Sequence, residues 1–406
     1  PDDKIAWALV NSGWSPPAGY PFTLEEMKSR AARLPENWRA RGRLLSGLGI
    51  SLNRSGIGED ERCLVVNYGF SSYPGHESES TMGLYLDAFG SKLITPWGYP
   101  PNWDSWYRSW FTQNTGRQYP PAKGKLTGTN DMNVDNGPIH VTDSHANYVE
   151  DLGDAMIATN PTGRYKVNND AWQRRLNVLV DVSDKEFYVL DLYRMHGGKE
   201  HWRSMQTLDG AVESTGVDFK KQAGGTLAGE NVQYDDKSWW AGKGQYGDRL
   251  SRPFTLLENV ESGMASDAPW QVTWNIHNGD GLKVAVSGIK SDGARLHLAD
   301  ARCAQRSHEI VRRFLMTQHK TEGKEPLRSE TLNLIQPFRG TAPASAVKYL
   351  PVEGGDERGF KPAGCVVKLA SRTDYFILSA SESTKIMILP NGSKLVLDGR
   401  IGYVSL

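Results

Sequence analysis

The chain of 406 residues carries 47 basic and 47 acidic side chains, so its formal net charge at pH 7 is zero. A balanced charge provides no overall field to attract nucleic acid or an anionic membrane, so any anionic ligand requires a local basic patch. No apolar run reaches the roughly 18 residues of a membrane-spanning helix, which excludes such a helix. The length favours two or three packed units over one core.

The first 46 residues have a helical pattern. Thr23 and Glu26 have the spacing of a capping box at the start of a helical face that ends before Pro35. Short helices without a partner are not expected to form a domain of their own. We therefore interpret residues 1–46 as the end of a larger helical domain or a linker to one.

From residue 47 the hydrophobic pattern changes to the period of two that is typical of β-strands. The clearest segments are residues 62–70, 82–95, 175–182, 186–195, 270–278 and 281–289. Ser183-Asp184-Lys185 predicts a hairpin connection between two of them. Because such patterns recur to about residue 340, we expect one large antiparallel two-sheet β-sandwich over residues 47–342.

The C-terminal part is predicted to be a small all-β domain over residues 343–406. Residues 343–365 are rich in Pro and Gly, which indicates a boundary, and Asn391-Gly392 is a hairpin signal within the strand patterns that follow. The three cysteines, Cys63, Cys303 and Cys365, are too few and too scattered for a disulfide framework. A single disulfide between two of them is the alternative that the sequence leaves undecided.

The common short sequence motifs of catalytic and metal sites are absent: the sequence has no Gly-rich phosphate loop, paired CxxC, HExxH or Gly-x-Ser-x-Gly. His196 and His201, in a Gly turn after a strand, are interpreted as structural. Trp103, Trp106 and Trp110 recur at three or four residues, and sugar stacking and core anchoring explain this spacing equally well.

One stretch carries a family resemblance. Residues 75–116 read GHESESTMGLYLDAFGSKLITPWGYPPNWDSWYRSWFTQNTG. This stretch resembles the second domain of the heparinase II/III group of polysaccharide lyases, which has a His-x-His-x-Asp motif, a Gly turn, and Trp-Tyr-Arg before His-(Asn/Ser)-Thr. His76 stands at the first His, Gly90 at the turn, and Trp106-Tyr107-Arg108 at the triplet.

The resemblance implies a mainly β fold in which a large sandwich follows a helical (α/α) toroid, with residues 1–46 as the tail of the toroid. It also implies a carbon–oxygen lyase that cleaves an acidic, uronic-acid-containing polysaccharide by β-elimination. The toroid, in the same protein or a separate chain, is then the structural partner, and the location is periplasmic or secreted. The resemblance involves neither nucleic acid nor membrane.

This chain departs from the family at the positions that often bind zinc. The second His, the Asp after the next strand and the later His are replaced by Ser78, Thr95 and Gln113. Neutral hydroxyl and amide groups are poor ligands for a divalent transition ion, so we expect no metal and no other cofactor. Hydrogen bonds among these three side chains are one way to hold together the loops that the metal connects in the family.

The remaining site residues are assigned from the resemblance and from their chemistry. His76 titrates near neutral pH and is the candidate for proton transfer or for binding the carboxylate, as opposed to a polar residue at a strand entry. Tyr99 is a second candidate for proton transfer, or it is simply packed. Arg108, beside Tyr107, pairs either with a uronate or sulfate group or with an internal acid. The alternatives to a lyase are an inactive carbohydrate-binding sandwich and a uronyl epimerase.

Overall fold

The computed structural model describes residues 2–35, 37–69, 79–97, 105–120, 125–150, 166–241, 251–266, 268–291, 293–304, 309–355 and 357–406. Its three α-helices are α1 (Asp3–Asn11), α2 (Leu24–Ala31) and α3 (Lys237–Trp240). The predicted capping box is confirmed, because Thr23 accepts a bond from the Glu26 N–H and Glu26 accepts one from the Thr23 N–H at 2.7 Å. The helical prediction for all of residues 1–46 is too broad, because turns follow α2 and a strand begins at Arg43.

The strands of the first half of the chain are β1 (Arg43–Leu45), β2 (Ile50–Ser55), β3 (Arg62–Asn67), β4 (Gly83–Ala88), β5 (Ser91–Ile94), β6 (Gly116–Tyr119), β7 (Lys125–Asn136), β8 (Ile139–Glu150), β9 (Lys166–Asp181), β10 (Phe187–His196), β11 (Glu200–Gln206) and β12 (Gly210–Thr215). Those of the second half are β13 (Lys220–Lys221), β14 (Leu257–Met264), β15 (Trp270–Ile276), β16 (Leu282–Lys290), β17 (Arg295–Ala304), β18 (Glu309–Lys320), β19 (Arg328–Arg339), β20 (Ala344–Glu353), β21 (Ala363–Leu369), β22 (Thr373–Leu378), β23 (Thr384–Ile388), β24 (Lys394–Asp398) and β25 (Ile401–Ser405). The segments with the clearest period of two are all strands, which confirms a mainly β fold.

Three antiparallel sheets build the sandwich. An eight-stranded sheet has the order β12-β15-β16-β19-β10-β9-β8-β7, a six-stranded sheet the order β13-β14-β17-β18-β11-β6, and a five-stranded sheet the order β1-β2-β3-β4-β5. One hydrophobic core contains residues of all three sheets, such as Val272 of the eight-stranded, Leu296 of the six-stranded and Leu64 of the five-stranded sheet. The eight-stranded sheet thus faces the other two.

A fourth sheet, of order β24-β23-β20-β21-β22-β25, covers the outer face of the eight-stranded sheet. Val178 and Leu190 of the sandwich share one buried cluster with Val367 and Phe376 of this C-terminal sheet. The Pro- and Gly-rich stretch predicted to mark a boundary is not a loop throughout, because β20 occupies ten residues of it. Strand pairing and burial outweigh its composition there.

The predicted hairpin connections are present. Ser183-Asp184-Lys185 joins β9 to β10, and the Ser183 N–H donates to the Glu186 carbonyl at 3.1 Å. At Asn391-Gly392 the glycine has φ +84°, a left-handed conformation that favours glycine in tight turns. Within the described ranges, no helix is long and apolar enough to cross a membrane.

Candidate active-site region of the sandwich

Glu79 connects the end of the HESES segment to residues 108–117. Its backbone N–H donates to the Arg108 carbonyl at 2.7 Å, and its Oε2 accepts from the Trp110 N–H at 3.2 Å. Its Oε1 lies 2.5 Å from Nη1 of Arg117. Backbone and side chain of one residue therefore fix the chain that follows His76 against the Trp-Tyr-Arg triplet.

Arg117 lies on β6 and its side chain is 18% exposed. Burial alone lowers the pKa of Arg117, but the Glu79 carboxylate, with smaller effects of Tyr148 and Tyr119, raises that pKa above its ordinary value. Burial raises the pKa of Tyr148, against the opposing effect of the Arg117 charge. At neutral pH this part of the site holds a charged guanidinium beside a neutral phenol, whose O–H is able to donate a hydrogen bond.

Two residues of this region have left-handed backbones. Met82 has φ +64° and Asn114 has φ +53°, a conformation that costs about 1–2 kcal/mol for a non-glycine residue. Both carbonyl oxygens accept a hydrogen bond of 2.6 Å from the same Nη1 of Arg175. One guanidinium thus holds two strained turns together, each close in sequence to a predicted site segment.

Arg175 is in turn part of a buried ionic cluster with Asp191 and Arg203. Asp191 accepts from Nε and Nη2 of Arg175 at 2.9 and 2.7 Å, from Asn177 at 2.8 Å, and from Arg203. Burial alone raises the pKa of Asp191, but the two arginines outweigh it and hold the pKa down at about 2. The cluster is therefore charged at neutral pH and supports the region from beneath.

The amide and hydroxyl groups at the family's metal positions are bonded to other parts of the chain. Gln113 accepts from the Tyr85 hydroxyl at 3.2 Å and donates to the Tyr107 carbonyl at 3.1 Å. Ser80, at the motif's own Asp, accepts from Asn67 at 2.7 Å. These are structural hydrogen bonds between neutral groups.

Thr95 does not use Gln113 as its partner. Its hydroxyl donates to the Pro96 carbonyl at 3.3 Å, and its own carbonyl accepts from Gln206 at 2.5 Å. Thr95 and Gln113 thus have other partners than each other, whereas the expected bonds of either residue to Ser78 lie outside the described residues. Among the residues that the structure describes, no group of three or more His, Cys, Asp and Glu side chains is arranged to hold a metal.

The aromatic residues of the triplet face inward. Trp106, Tyr107 and Trp110 are only 4%, 7% and 2% exposed and belong to one aromatic cluster with Phe254. The Trp110 Nε1–H also donates to the Tyr119 hydroxyl at 2.9 Å. Of the two interpretations of the tryptophan spacing, burial favours core anchoring over sugar stacking for Trp106 and Trp110, and Tyr107, a predicted substrate-binding residue, is buried with them. The Arg108 side chain is half-buried.

Four of the predicted site residues, His76, Ser78, Tyr99 and Trp103, lie outside the described residues, and their roles stay predictions. The structural interpretation of His201 agrees with its contacts. Its Nδ1 is 2.7 Å from the Ser329 hydroxyl and its Nε2 is 2.6 Å from the Gly197 carbonyl, and burial lowers its pKa to about 3.

Sequence reasoning missed Glu79 as an anchor, as well as Arg117, Arg175 and Asp191. A usable signal was present. Arg175 and Asn177 are two residues apart on β9, and Asp191 and Tyr193 are two residues apart on β10, so all four side chains lie on one face of the sheet. Charged residues in period-two positions within otherwise apolar strands indicate a polar interior at that end of the sandwich.

These features define a large antiparallel β-sandwich with a polar, ionic interior at the end where residues 79–82 and 105–117 meet. No model of a known protein family matches the sequence, and no curated protein is similar to it in sequence. Among solved structures, the chain is similar to heparan sulfate lyase HepC from Pedobacter heparinus (TM-score 0.55, 12% identity, covering 94% of this chain and 49% of that one). A mutant of the same lyase gives a TM-score of 0.54 at 12% identity, over 98% of this chain and 48% of that one.

A heparinase III is similar as well, with a TM-score of 0.51 at 14% identity over 94% of this chain and 44% of that one. The chain therefore has the fold of the heparinase III-like β-sandwich part, as the resemblance of residues 75–116 predicted. It spans about half the length of these lyases.

Proposed function

We propose that this chain is the sandwich part of a polysaccharide lyase that cleaves a uronic-acid-containing polymer by β-elimination. The active site lies where the sandwich meets a helical toroid. In this reaction the C5–H proton goes to a base, the C4–O bond breaks, a C4–C5 double bond forms, and the leaving oxygen is protonated. The substrate carboxylate must be neutralised for the C5 proton to become acidic enough.

His76 supplies the proton transfer or the charge neutralisation, and Tyr99 assists at the leaving oxygen. An imidazole serves both purposes because its ordinary pKa is close to neutral pH. Arg108 is placed to bind the uronate, since a guanidinium matches a planar carboxylate. The toroid completes the site, because the reaction needs more groups than these side chains provide.

The observation that carries the proposal is the set of three contacts made by Glu79. His76 precedes Glu79 by three residues, and Glu79 is bonded to the Arg108 carbonyl, the Trp110 N–H and the Arg117 guanidinium. These contacts fix the segment that follows His76, and a proton-transfer residue needs a geometry fixed to within about 0.5 Å. The fold shared with a heparan sulfate lyase and a heparinase III is the second support.

The test is the ultraviolet absorbance of the new C4–C5 double bond when the full-length protein meets heparan sulfate and an unsulfated uronic polymer. We expect turnover of at least one polymer and a loss on the order of 100-fold in kcat for His76→Ala. His277→Ala, at an exposed histidine of the chain, is the matched control and should retain full activity. Activity of His76→Ala equal to that of the control would remove His76 from the mechanism.

The same experiment separates the two alternatives. Polymer binding without a double bond would support an inactive carbohydrate-binding sandwich. Deuterium uptake at C5 from heavy water, again without a double bond, would support a uronyl epimerase, which removes the same proton and returns it. Either result would overturn the lyase proposal.

A further inference from the structure

A cleft of about 250 Å³ lies between the outer face of the eight-stranded sheet and the C-terminal sheet. Five of its ten lining residues come from β7, β8 and β9, and five come from residues 357–400. Arg174 of β9 lines the cleft, whereas its neighbour Arg175 donates to the carbonyls of Met82 and Asn114. Because successive strand residues point to opposite faces, the cleft and the candidate active-site region lie on opposite sides of the sheet.

The cleft is polar but carries no excess of positive charge. Its lining has three arginines and three acids, Asp131, Glu357 and Glu382, and the fully buried Asp143 lies directly beneath. Two of the arginines are already neutralised, because Arg174 lies 2.6 Å from Asp143 and 2.5 Å from Glu357, and Arg400 also bonds Asp143. Counting Asp143 with the lining, and leaving aside the His145 ring 3.3 Å from Asp131, gives three positive and four negative charges, so a uronate or sulfate is disfavoured.

The polar groups around the cleft include both donors and acceptors. Asn147 Oδ1 is a buried acceptor that has no hydrogen-bond partner within the described chain, and the buried donor Arg400 Nε has only an ion-pair contact of 3.9 Å with Glu382. The exposed Arg358 guanidinium lies 5.2 Å from the centre of the Trp172 ring. Hydroxyl groups both donate and accept, so a polyhydroxylated neutral ligand satisfies such a mixed lining where an ion does not.

We propose that this cleft binds one uncharged sugar unit of a polysaccharide, separately from the catalytic region. The volume suits about one sugar ring. The choice of a sugar over another neutral polyol rests on the proposed function, whereas the preference for a neutral over an anionic ligand follows from the charges of the cleft. Acidic polysaccharides commonly alternate charged with uncharged units, so a neutral-sugar site can hold the same polymer.

The test is saturation-transfer NMR on the full-length protein with methyl β-glucopyranoside, methyl N-acetyl-β-glucosaminide and methyl β-glucopyranosiduronate as probes. We expect at least one neutral glycoside to bind in the millimolar range. Glucuronide binding at the proposed catalytic region should be unchanged by Ala380→Trp, a substitution that fills the cleft. Glucuronide binding that this substitution weakens at least tenfold, or the absence of binding by both neutral probes, would overturn the proposal.

Two variants locate the binding. Arg358→Asn removes the guanidinium while asparagine tolerates the φ of +47° at this turn position, and Ala380→Trp fills the cleft. We expect each to weaken binding of the neutral probe at least tenfold. Arg339→Asn is the matched control, since Arg339 is also an exposed arginine over an aromatic ring, that of Phe89 at 5.8 Å, away from the cleft.

Undiminished binding by both cleft variants would place the sugar elsewhere and refute the site. The measurement needs no turnover, so a protein that binds neutral sugar here without lyase activity would contradict the proposed function and leave this site standing. Lyase activity without binding of the neutral probes would support the proposed function and refute the neutral-sugar site.

Discussion

Arg175 and Asp191 form a fully buried ion pair between strands β9 and β10, with two parallel hydrogen bonds of 2.9 and 2.7 Å. The remaining Nη1 of the same guanidinium binds the carbonyls of Met82 and Asn114. The ion pair therefore orients the group that holds two left-handed turns beside the candidate active-site region. A planar guanidinium can do both at once, which a lysine ammonium cannot.

We expect Arg175→Met to lower the free energy of unfolding by about 3–5 kcal/mol, because it leaves Asp191 without one of its two buried cations and frees two strained turns. Urea denaturation at pH 7 measures this. Arg302→Met is the control, since Arg302 is half exposed in its pair with Glu258 and should contribute about 1 kcal/mol or less. Equal losses in the two variants would contradict the role of the buried pair.

The stability of the protein should fall as the pH drops below about 6.5. Burial lowers the pKa of His201 to about 3 and the pKa of His297 and His319 to about 4. A folded-state pKa below the unfolded value of 6.5 means that folding favours the neutral ring. The resulting stability is complete above pH 6.5 and is lost as the pH falls toward the folded pKa, on the order of 3 kcal/mol per histidine.

Urea unfolding at pH 7, 5.5 and 4.5 tests this dependence. We expect His319→Gln to be less stable at pH 7 and to lose less stability between pH 7 and 4.5 than the unsubstituted protein. The exposed His277→Gln should change neither quantity. Identical pH dependence of all three proteins would show that His319 is not held neutral. Asp191, with a pKa of about 2, adds a further loss only below about pH 4.

Glu79→Gln should reduce kcat of the proposed reaction by about 10- to 100-fold, because the amide weakens the ion pair with Arg117 and loosens the segment after His76. Glu79 is 42% exposed but its partner Arg117 is only 18% exposed, so we expect the free energy of unfolding to fall by about 1–3 kcal/mol. Double-bond absorbance and urea denaturation measure the two quantities. The control is Glu322→Gln, in an exposed pair with Lys320. If Glu79→Gln has the same kcat as Glu322→Gln, Glu79 does not position the catalytic segment.

The sequence predicts the sandwich well because period-two patterns such as residues 270–278 and 281–289 depend on which face each residue buries, and that is local information. It does not predict that Trp106 and Trp110 are buried. Their spacing is the same for a surface platform and for a core anchor, and only the packing of Phe254 and neighbouring strands decides between them. The Arg175 cluster lies on the consecutive strands β9, β10 and β11, but the bonds from Arg175 to Met82 and Asn114 span 93 and 61 residues, and no local pattern contains such links.

The contact between Tyr188 and Asp374 links the sandwich to the C-terminal sheet, with the hydroxyl 2.7 Å from Oδ2 of the buried acid. Burial and the Asp374 charge raise the pKa of Tyr188, so its phenol stays protonated and is the donor. We expect Tyr188→Phe to lower the free energy of unfolding by about 1–3 kcal/mol, because a buried acceptor loses one donor. Arg372 still lies 3.0 Å from the acid.

Urea unfolding of Tyr188→Phe, followed by both tryptophan fluorescence and far-UV circular dichroism, checks this expectation. Because one buried cluster joins Leu190 to Phe376 across the two units, both probes should report a single transition, shifted to lower urea. Tyr234→Phe, at a tyrosine that is 41% exposed, should leave the midpoint unchanged. Two separate transitions, with the C-terminal sheet melting first, would contradict a core shared by the sandwich and that sheet.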